Sequence, residues 1–364
     1  MSATHSPQFI RSHVLQLQRV EHGSVGAAEL APFGRTPADV MDFSVNVNPL
    51  GPAPSVLRAI QDTDWTRYPG DDEVPLREGL AKRNGVMPEH VALGNGSAEL
   101  LWMIALALLQ PQDRVAVVGP TFGEYARAAR TVGTAVCEVQ SLRNPSPTRV
   151  LFVCNPNNPT GFLHQQSDIV QALSAQPDRL VVLDEAYAVF APDRWQTEAL
   201  LAAHPNLVLL RSLTKDHALP GLRLGYLLAT PEVARAVESV RPPWSVNAGA
   251  LRAGLATLGA EAGAHVERAR VIVATSREVL THAFKQLGYH VYPSAANFVL
   301  VDVGDAGEFR RTLLPHGFVV RDCTSFGLPS CVRVACRLPK ECEALIDMVH
   351  RLKDAGQLPP CGDA

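Results

Sequence analysis

The chain contains no block of like charges. Lys and Arg number 33 against 36 Asp and Glu, a formal net charge of −3, with no basic stretch that could serve as a footprint on nucleic acid or on a membrane. Neither partner is expected. Long apolar runs are missing too: the longest, Leu100 to Leu109, is about half of what a bilayer span requires and reads as a buried helix. No basic segment followed by an apolar stretch opens the sequence, so a secretory signal is not read and the cytoplasm is the expected compartment. Residues 1–20 have no acidic side chain and carry Arg11, Arg19 and several Ser, a trait of transit peptides. Ile10, Val14 and Leu17 at helical spacing suit an N-terminal arm equally well. Seven cysteines form no C-x-x-C pair and have no His at zinc spacing, which excludes a metal centre of that kind and leaves reduced thiols as the expectation. There is no internal repeat, no low-complexity tract and no G-x-G-x-x-G nucleotide fingerprint.

What is present is an ordinary globular balance, 46% hydrophobic and 19% charged, over 364 residues, enough for about two domains. Arg114–Val118, Arg149–Cys154, Leu180–Asp184, Leu207–Leu210 and Leu224–Leu228 are nearly continuous apolar runs, as expected of strands covered on both faces. Helical stretches at 97–109, 122–132, 165–175 and 231–240 supply the crossovers of a mostly parallel sheet. After the break Arg241-Pro242-Pro243-Trp244, a long helix (roughly 260–287) leads into strands at 289–302, 318–322 and 331–335, the pattern of a smaller α+β unit. The expected division is an N-terminal arm with part of the small domain over 1–49, a large domain over 50–245 and a small domain over 246–364. The connection from Val139 to Arg149 contains Pro145 and Pro147 and is too short for a crossover helix.

Four local patterns carry chemistry. Ser212-Leu213-Thr214-Lys215 follows a buried strand, where open α/β sheets place ligands and where burial lowers an amine's pKa enough for Schiff-base chemistry. Asn155-Pro156-Asn157-Asn158-Pro159-Thr160-Gly161 and Asp184-Glu185-Ala186-Tyr187 follow two further strands, so Lys215, Asn158, Asp184 and Tyr187 can converge on one crevice. Leu93-Gly94-Asn95-Gly96-Ser97-Ala98 runs into a helix whose N-terminus suits a phosphate. Taken singly, each has a plainer account: a surface lysine, a turn, a pair of solvated acids, a capped helix start. Arg333 in an alternating strand is, by itself, most simply an outward-facing side chain.

In this order the four patterns resemble the fold-type I pyridoxal-phosphate enzymes of the class I/II aminotransferase superfamily, over residues from about 40 to 350. The resemblance implies an α/β fold, a large domain with a mostly parallel sheet covered by helices and a smaller α+β domain. It also implies pyridoxal 5'-phosphate as cofactor, with Lys215 bonded to its aldehyde carbon, Asp184 at the pyridine nitrogen and Asn158 and Tyr187 at the phenolic oxygen. Phe122 would stack on the ring, and Gly96, Ser97, Ala98, Ser212 and Arg223 would form the phosphate site. Tyr68 matches a tyrosine that reaches that phosphate from a partner subunit, implying a homodimer with shared active sites. Arg333 matches the arginine that takes a substrate carboxylate.

Two subfamilies are most similar, histidinol-phosphate aminotransferase and the threonine-phosphate decarboxylase of cobalamin biosynthesis; both take a small phosphorylated amine or amino acid. His22-Gly23, Asp42-Phe43-Ser44-Val45-Asn46-Val47-Asn48-Pro49, Pro120-Thr121-Phe122-Gly123-Glu124-Tyr125 and Arg321-Asp322-Cys323-Thr324 are more like the decarboxylase, which is the favoured expectation, with the aminotransferase as the alternative. Arg321, His22 and Asn48 are then expected near the substrate phosphate. Asp216-His217, directly after the lysine, departs from both subfamilies and places the surroundings of the amine in question. A non-catalytic binding protein with the same fold, as in regulators that add a DNA-binding segment, is disfavoured by the short and weakly basic stretch before His22.

Overall fold

The computed structural model describes residues 9–20, 23–143 and 146–360. Its strands are β1 (Met41–Asp42), β2 (Val91–Gly94), β3 (Arg114–Val118), β4 (Ala135–Val139), β5 (Val150–Cys154), β6 (Leu180–Asp184), β7 (Leu207–Ser212) and β8 (Gly225–Leu228). The C-terminal third adds β9 (His290–Tyr292), β10 (Phe298–Asp302), β11 (Phe318–Val319), β12 (Arg321–Asp322) and β13 (Cys331–Ala335). β2 to β8 form a seven-stranded sheet in the order β2-β8-β7-β6-β5-β3-β4. β3 to β7 run parallel, whereas β8 pairs antiparallel with both β7 and β2.

The antiparallel β8 has a simple cause. Between β7 and β8 the chain makes one helical turn, Leu213–Asp216, and a loop, too little to carry a crossover, so it returns beside β7 in the opposite direction. The helices Gly96–Leu108, Glu124–Thr131, Gln166–Ala175 and Pro231–Ser239 lie within a few residues of their sequence positions. No helix intervenes between β4 and β5 among the described residues, in keeping with the short connection there.

Period-two alternation sorts the parallel strands onto two faces. Leu151, Val153, Val181, Leu183, Leu207 and Leu209 pack into one buried cluster, and Val150, Phe152, Cys154, Val182, Val208 and Leu210 into another. Both faces are dry, so the backbone ladder is shielded and the carboxyl ends of β5, β6 and β7 are held in fixed register.

The second sheet, β12-β13-β10-β9, is antiparallel and packs against the long helix Ala260–Gln286. The strand expected over 289–302 divides into β9 and β10, and that over 318–322 divides at Val320 into β11 and β12. β11 pairs in parallel with β1, which brings residues 41–42 against the C-terminal part of the chain. The six described cysteines are free thiols, and Cys361 lies outside the described residues. No described helix is long and apolar enough to cross a membrane.

Leu209 is fully buried at the centre of the large sheet. Leu209→Ala should cost about 2–5 kcal/mol of folding stability, read as a lower urea midpoint with an unchanged slope.

Candidate active site

Carboxyl-terminal edges of parallel strands leave backbone and side-chain groups pointing into the space beyond the sheet, and here that space is a cavity of about 690 Å³. Ser97, Ala98, Phe122, Asn158, Asp184, Tyr187, Ser212, Lys215, Arg223, Arg321 and Arg333 all line it. The strand-end motifs therefore meet in one place.

Asp184 ends β6 and is 4% exposed. Its Oδ2 accepts from the Tyr125 hydroxyl at 2.8 Å and its Oδ1 from the Ala186 amide at 3.0 Å. Burial outweighs these bonds and raises the carboxyl from 3.8 to about 6. Tyr125 itself stacks on Phe152 of β5 at 5.5 Å and meets Phe122 edge-on at 5.7 Å, a shelf of aromatic rings beside the acid. Lys215 sits in the single helical turn after β7. Burial, then the charges of Arg333 and Arg223, lower its amine from 10.5 to about 8, with Asp184 opposing. An amine so displaced has a sizeable neutral fraction near physiological pH. Burial also raises the Tyr187 phenol to about 12.

A second feature of the cavity is a cluster of donors that could hold a phosphate. The helix Gly96–Leu108 opens into it through Ser97 and Ala98, with Ser212 and Thr214 opposite, their hydroxyl oxygens 2.7 Å apart. Gly96 has φ +80°, and a Cβ on it would collide with the Arg223 guanidinium. A Cβ on Gly225 would lie 2.6 Å from the Ser97 amide nitrogen. Two glycines thus keep the helix N-terminus and Arg223 close enough to grip one anion. A dianionic phosphate suits this donor set, and a pyridine ring suits the space between Phe122 and Asp184.

On the far wall, β12 and β13 place Arg321 directly across from Arg333. Both are buried, 9% and 5% exposed. Arg333 donates to the Asn158 side-chain oxygen and, at 2.8 Å, to the Ser44 carbonyl. With its amide turned to accept, Asn46 takes Nε and Nη1 at 3.1 and 3.2 Å. Arg321 donates to Ser325 Oγ at 2.7 Å and lies over the Phe326 ring.

Two expectations are revised, those for Asn48 and for Asp216-His217. Asn48 does not face the cavity: it is 1% exposed, its amide nitrogen donates to the Asp216 carbonyl at 2.8 Å, and its side-chain oxygen caps the Leu50 amide at 2.9 Å. The Asn48 side chain is turned toward the helical turn that carries Lys215, and Asn46 supplies the side chain of this loop that reaches Arg333. Tyr68 is 78% exposed, stacked on Trp244 at 4.4 Å, outside the cavity of its own chain. Asp216 and His217 turn away from the site and line a separate cavity of about 390 Å³. His22 lies outside the described residues. Tyr125, Asn46, Ser44 and Thr214 were not singled out from the sequence; only Tyr125 had a usable signal, three residues after Phe122 in the helix expected over 122–132, although the helix found starts at Glu124.

The fold and this cavity define a fold-type I pyridoxal-phosphate enzyme. The family model for class I and II aminotransferases matches residues 38–349, and the chain belongs to that family. Similar curated proteins include histidinol-phosphate aminotransferases of Symbiobacterium thermophilum, 37% identical over 83% of this chain and 88% of that protein, and of Moorella thermoacetica, 36% identical over 86% of each. Among solved structures, the L-threonine-O-3-phosphate decarboxylase of Porphyromonas gingivalis is 28% identical with a TM-score of 0.79 over 86% of this chain and 99% of that one. The histidinol-phosphate aminotransferase of Sinorhizobium meliloti, solved with pyridoxal-5'-phosphate, shares the fold at a TM-score of 0.84 and 24% identity, covering 96% and 99%. The chain is thus a pyridoxal-phosphate-dependent enzyme.

The acid at the end of β6 gives a pH test. A carboxyl whose folded pKa lies above its ordinary value favours the folded protein most at low pH, and that contribution is lost as pH rises from 3.8 through about 6. Cofactor-free wild type should therefore lose stability across this window relative to Asp184→Asn, as followed by denaturant melts at each pH.

Proposed function

We propose that the protein is an aminotransferase for a phosphorylated amine of the histidinol-phosphate class. The similarity at 36–37% to curated histidinol-phosphate aminotransferases carries this reading over the decarboxylase favoured by the sequence motifs. Decarboxylation of L-threonine O-3-phosphate is retained as the second reading on one observation. Arg321 and Arg333, side by side on adjacent strands, offer two guanidinia to a substrate with both a phosphate and a carboxylate, and the P. gingivalis decarboxylase has the same fold.

Pyridoxal phosphate, when bound, supplies an aldehyde and an electron sink. The chain would hold it by Ser97, Ala98, Ser212 and Arg223 at the phosphate, Asp184 at the ring nitrogen, Asn158 and Tyr187 at the phenolic oxygen, and Phe122 against the ring face. Lys215 Nζ, neutral in part at physiological pH, serves as nucleophile and then as carrier of the proton at the substrate carbon. Arg321 and Arg333 orient the substrate, and orientation selects the bond that breaks. With pyridoxal phosphate bound, that orientation would decide whether Lys215 moves the proton of the substrate carbon, which leads to amino transfer, or the carboxylate is lost as carbon dioxide.

We read the exposed aromatics Trp65, Tyr68 and Trp244 as part of a face for a second copy, so that each Tyr68 serves its partner's site in a cytoplasmic homodimer. The sheet of β2 to β8 falls in the large domain, residues 50–245, and β9 to β13 in the small one, residues 246–364, with residues 1–49 as arm and small-domain addition.

Purified protein should be yellow when loaded with pyridoxal phosphate, and Lys215→Ala should abolish the visible band of the wild type. A single-turnover incubation with histidinol phosphate should convert the cofactor to its amine form without carbon dioxide. Carbon dioxide released from threonine phosphate, with no such conversion, would move the assignment to the second reading. Arg321→Gln should raise KM for the phosphorylated substrate by about 10- to 100-fold, the worth of one charge-assisted contact, and leave the unphosphorylated alcohol unaffected.

A further inference from the structure

The turn that carries Lys215 is four residues long, Leu213–Asp216, far below the length at which a helix holds itself together. A helix end also leaves carbonyls without partners. Here Asn48 supplies a partner for one of them, the Asp216 carbonyl, and adds a donor to the Lys215 carbonyl, which also accepts from the His217 and Ala218 amides. The Asn48 main-chain N–H donates to the Lys215 carbonyl at 2.8 Å, and the Asn48 side-chain amide donates to the Asp216 carbonyl at 2.8 Å. The Asn48 Oδ1 is occupied by the Leu50 amide, which fixes the amide's rotation and aims its nitrogen at Asp216.

The other end of the same loop is tied to the opposite wall of the cavity. Phe43 donates to the Val319 carbonyl at 2.7 Å and accepts from Ala335 at 2.9 Å, while the Ser44 carbonyl and the Asn46 side chain hold Arg333. Residues 43–48 therefore span from Arg333 to the backbone of Lys215.

We propose that Asn48 is a positioning residue for Lys215: its two-point grip on the Lys215 and Asp216 carbonyls sets where the amine stands between Asp184 and the guanidinia of Arg333 and Arg223. This deepens the reading of Lys215 given above and rests on it. The amine feels the like charges of Arg333 and Arg223 and the opposite charge of Asp184, so a small rotation of the turn changes the balance among the three.

The test uses holoenzyme loaded with pyridoxal phosphate and two neutral substitutions. Asn48→Ala removes the side-chain grip and the Leu50 cap. Asn48→Ser keeps a short hydroxyl that can cap Leu50 but cannot reach the Asp216 carbonyl. Both should move the pH midpoint of the visible chromophore by about half a pH unit or more, and Asn48→Ser should do so with a melting temperature close to wild type. An unmoved midpoint in both variants, with or without a lower melting temperature, would overturn the proposal, since a purely structural asparagine changes stability alone. A shift confined to Asn48→Ala would overturn it as well, by assigning the effect to the turn cap. A chromophore that persists in Lys215→Ala would instead remove Lys215 from its role, and this proposal with it.

Discussion

An acid and an amine are both buried at the wall of one cavity, and burial displaces each toward its neutral form. Asp184 is raised to about 6 and Lys215 lowered to about 8. Neither displacement is available to a surface residue; both depend on a sheet dry on its two faces that brings the ends of β6 and β7 side by side. The pull between the two groups is subordinate to desolvation, which leads the causes for each. The pair is thus prepared for a cofactor whose positive ring nitrogen would stabilise the carboxylate and whose aldehyde requires an uncharged amine.

The substrate wall follows a different logic. Arg321 and Arg333 are buried cations, and burial without partners would be costly. Arg333 meets that requirement with Asn158, the Ser44 carbonyl and Asn46, all neutral oxygens, which leaves its charge uncancelled and directed at the cavity. Elsewhere the opposite solution is used: Arg211, near the end of β7 in the large sheet, is matched by Glu185 and Glu198. The contrast separates a guanidinium whose partners are all neutral from one whose charge is matched by carboxylates.

Much of this was legible in the residues. The apolar runs marked β3, β5, β6 and β7, and the motifs after them marked where Asn158, Asp184, Tyr187 and Lys215 would emerge, because a strand's burial pattern is written in its own few residues. Arg321 and Arg333 were readable as candidates but not as a cross-strand pair, since register belongs to two segments at once. Asn48 was misplaced for a related reason. Ser44 meets Arg333 by its main-chain carbonyl, Asn46 by its side chain, and Asn48 instead bonds the Asp216 carbonyl, a division that no local pattern announces.

The sequence by itself determined the α/β character, the parallel core strands and the chemical kinds of group at their carboxyl ends. Local sterics and period-two burial act within a strand and need no knowledge of the rest. Tertiary structure alone decided the antiparallel return of β8, the outward turn of Asp216-His217, the choice of Asn46 over Asn48 at the arginine, and the extent to which burial shifts Asp184 and Lys215. Each depends on which distant segments exclude water from, or donate hydrogen bonds to, a given atom, and the 168 positions between Asn48 and Asp216 measure how far such a choice lies beyond any local pattern.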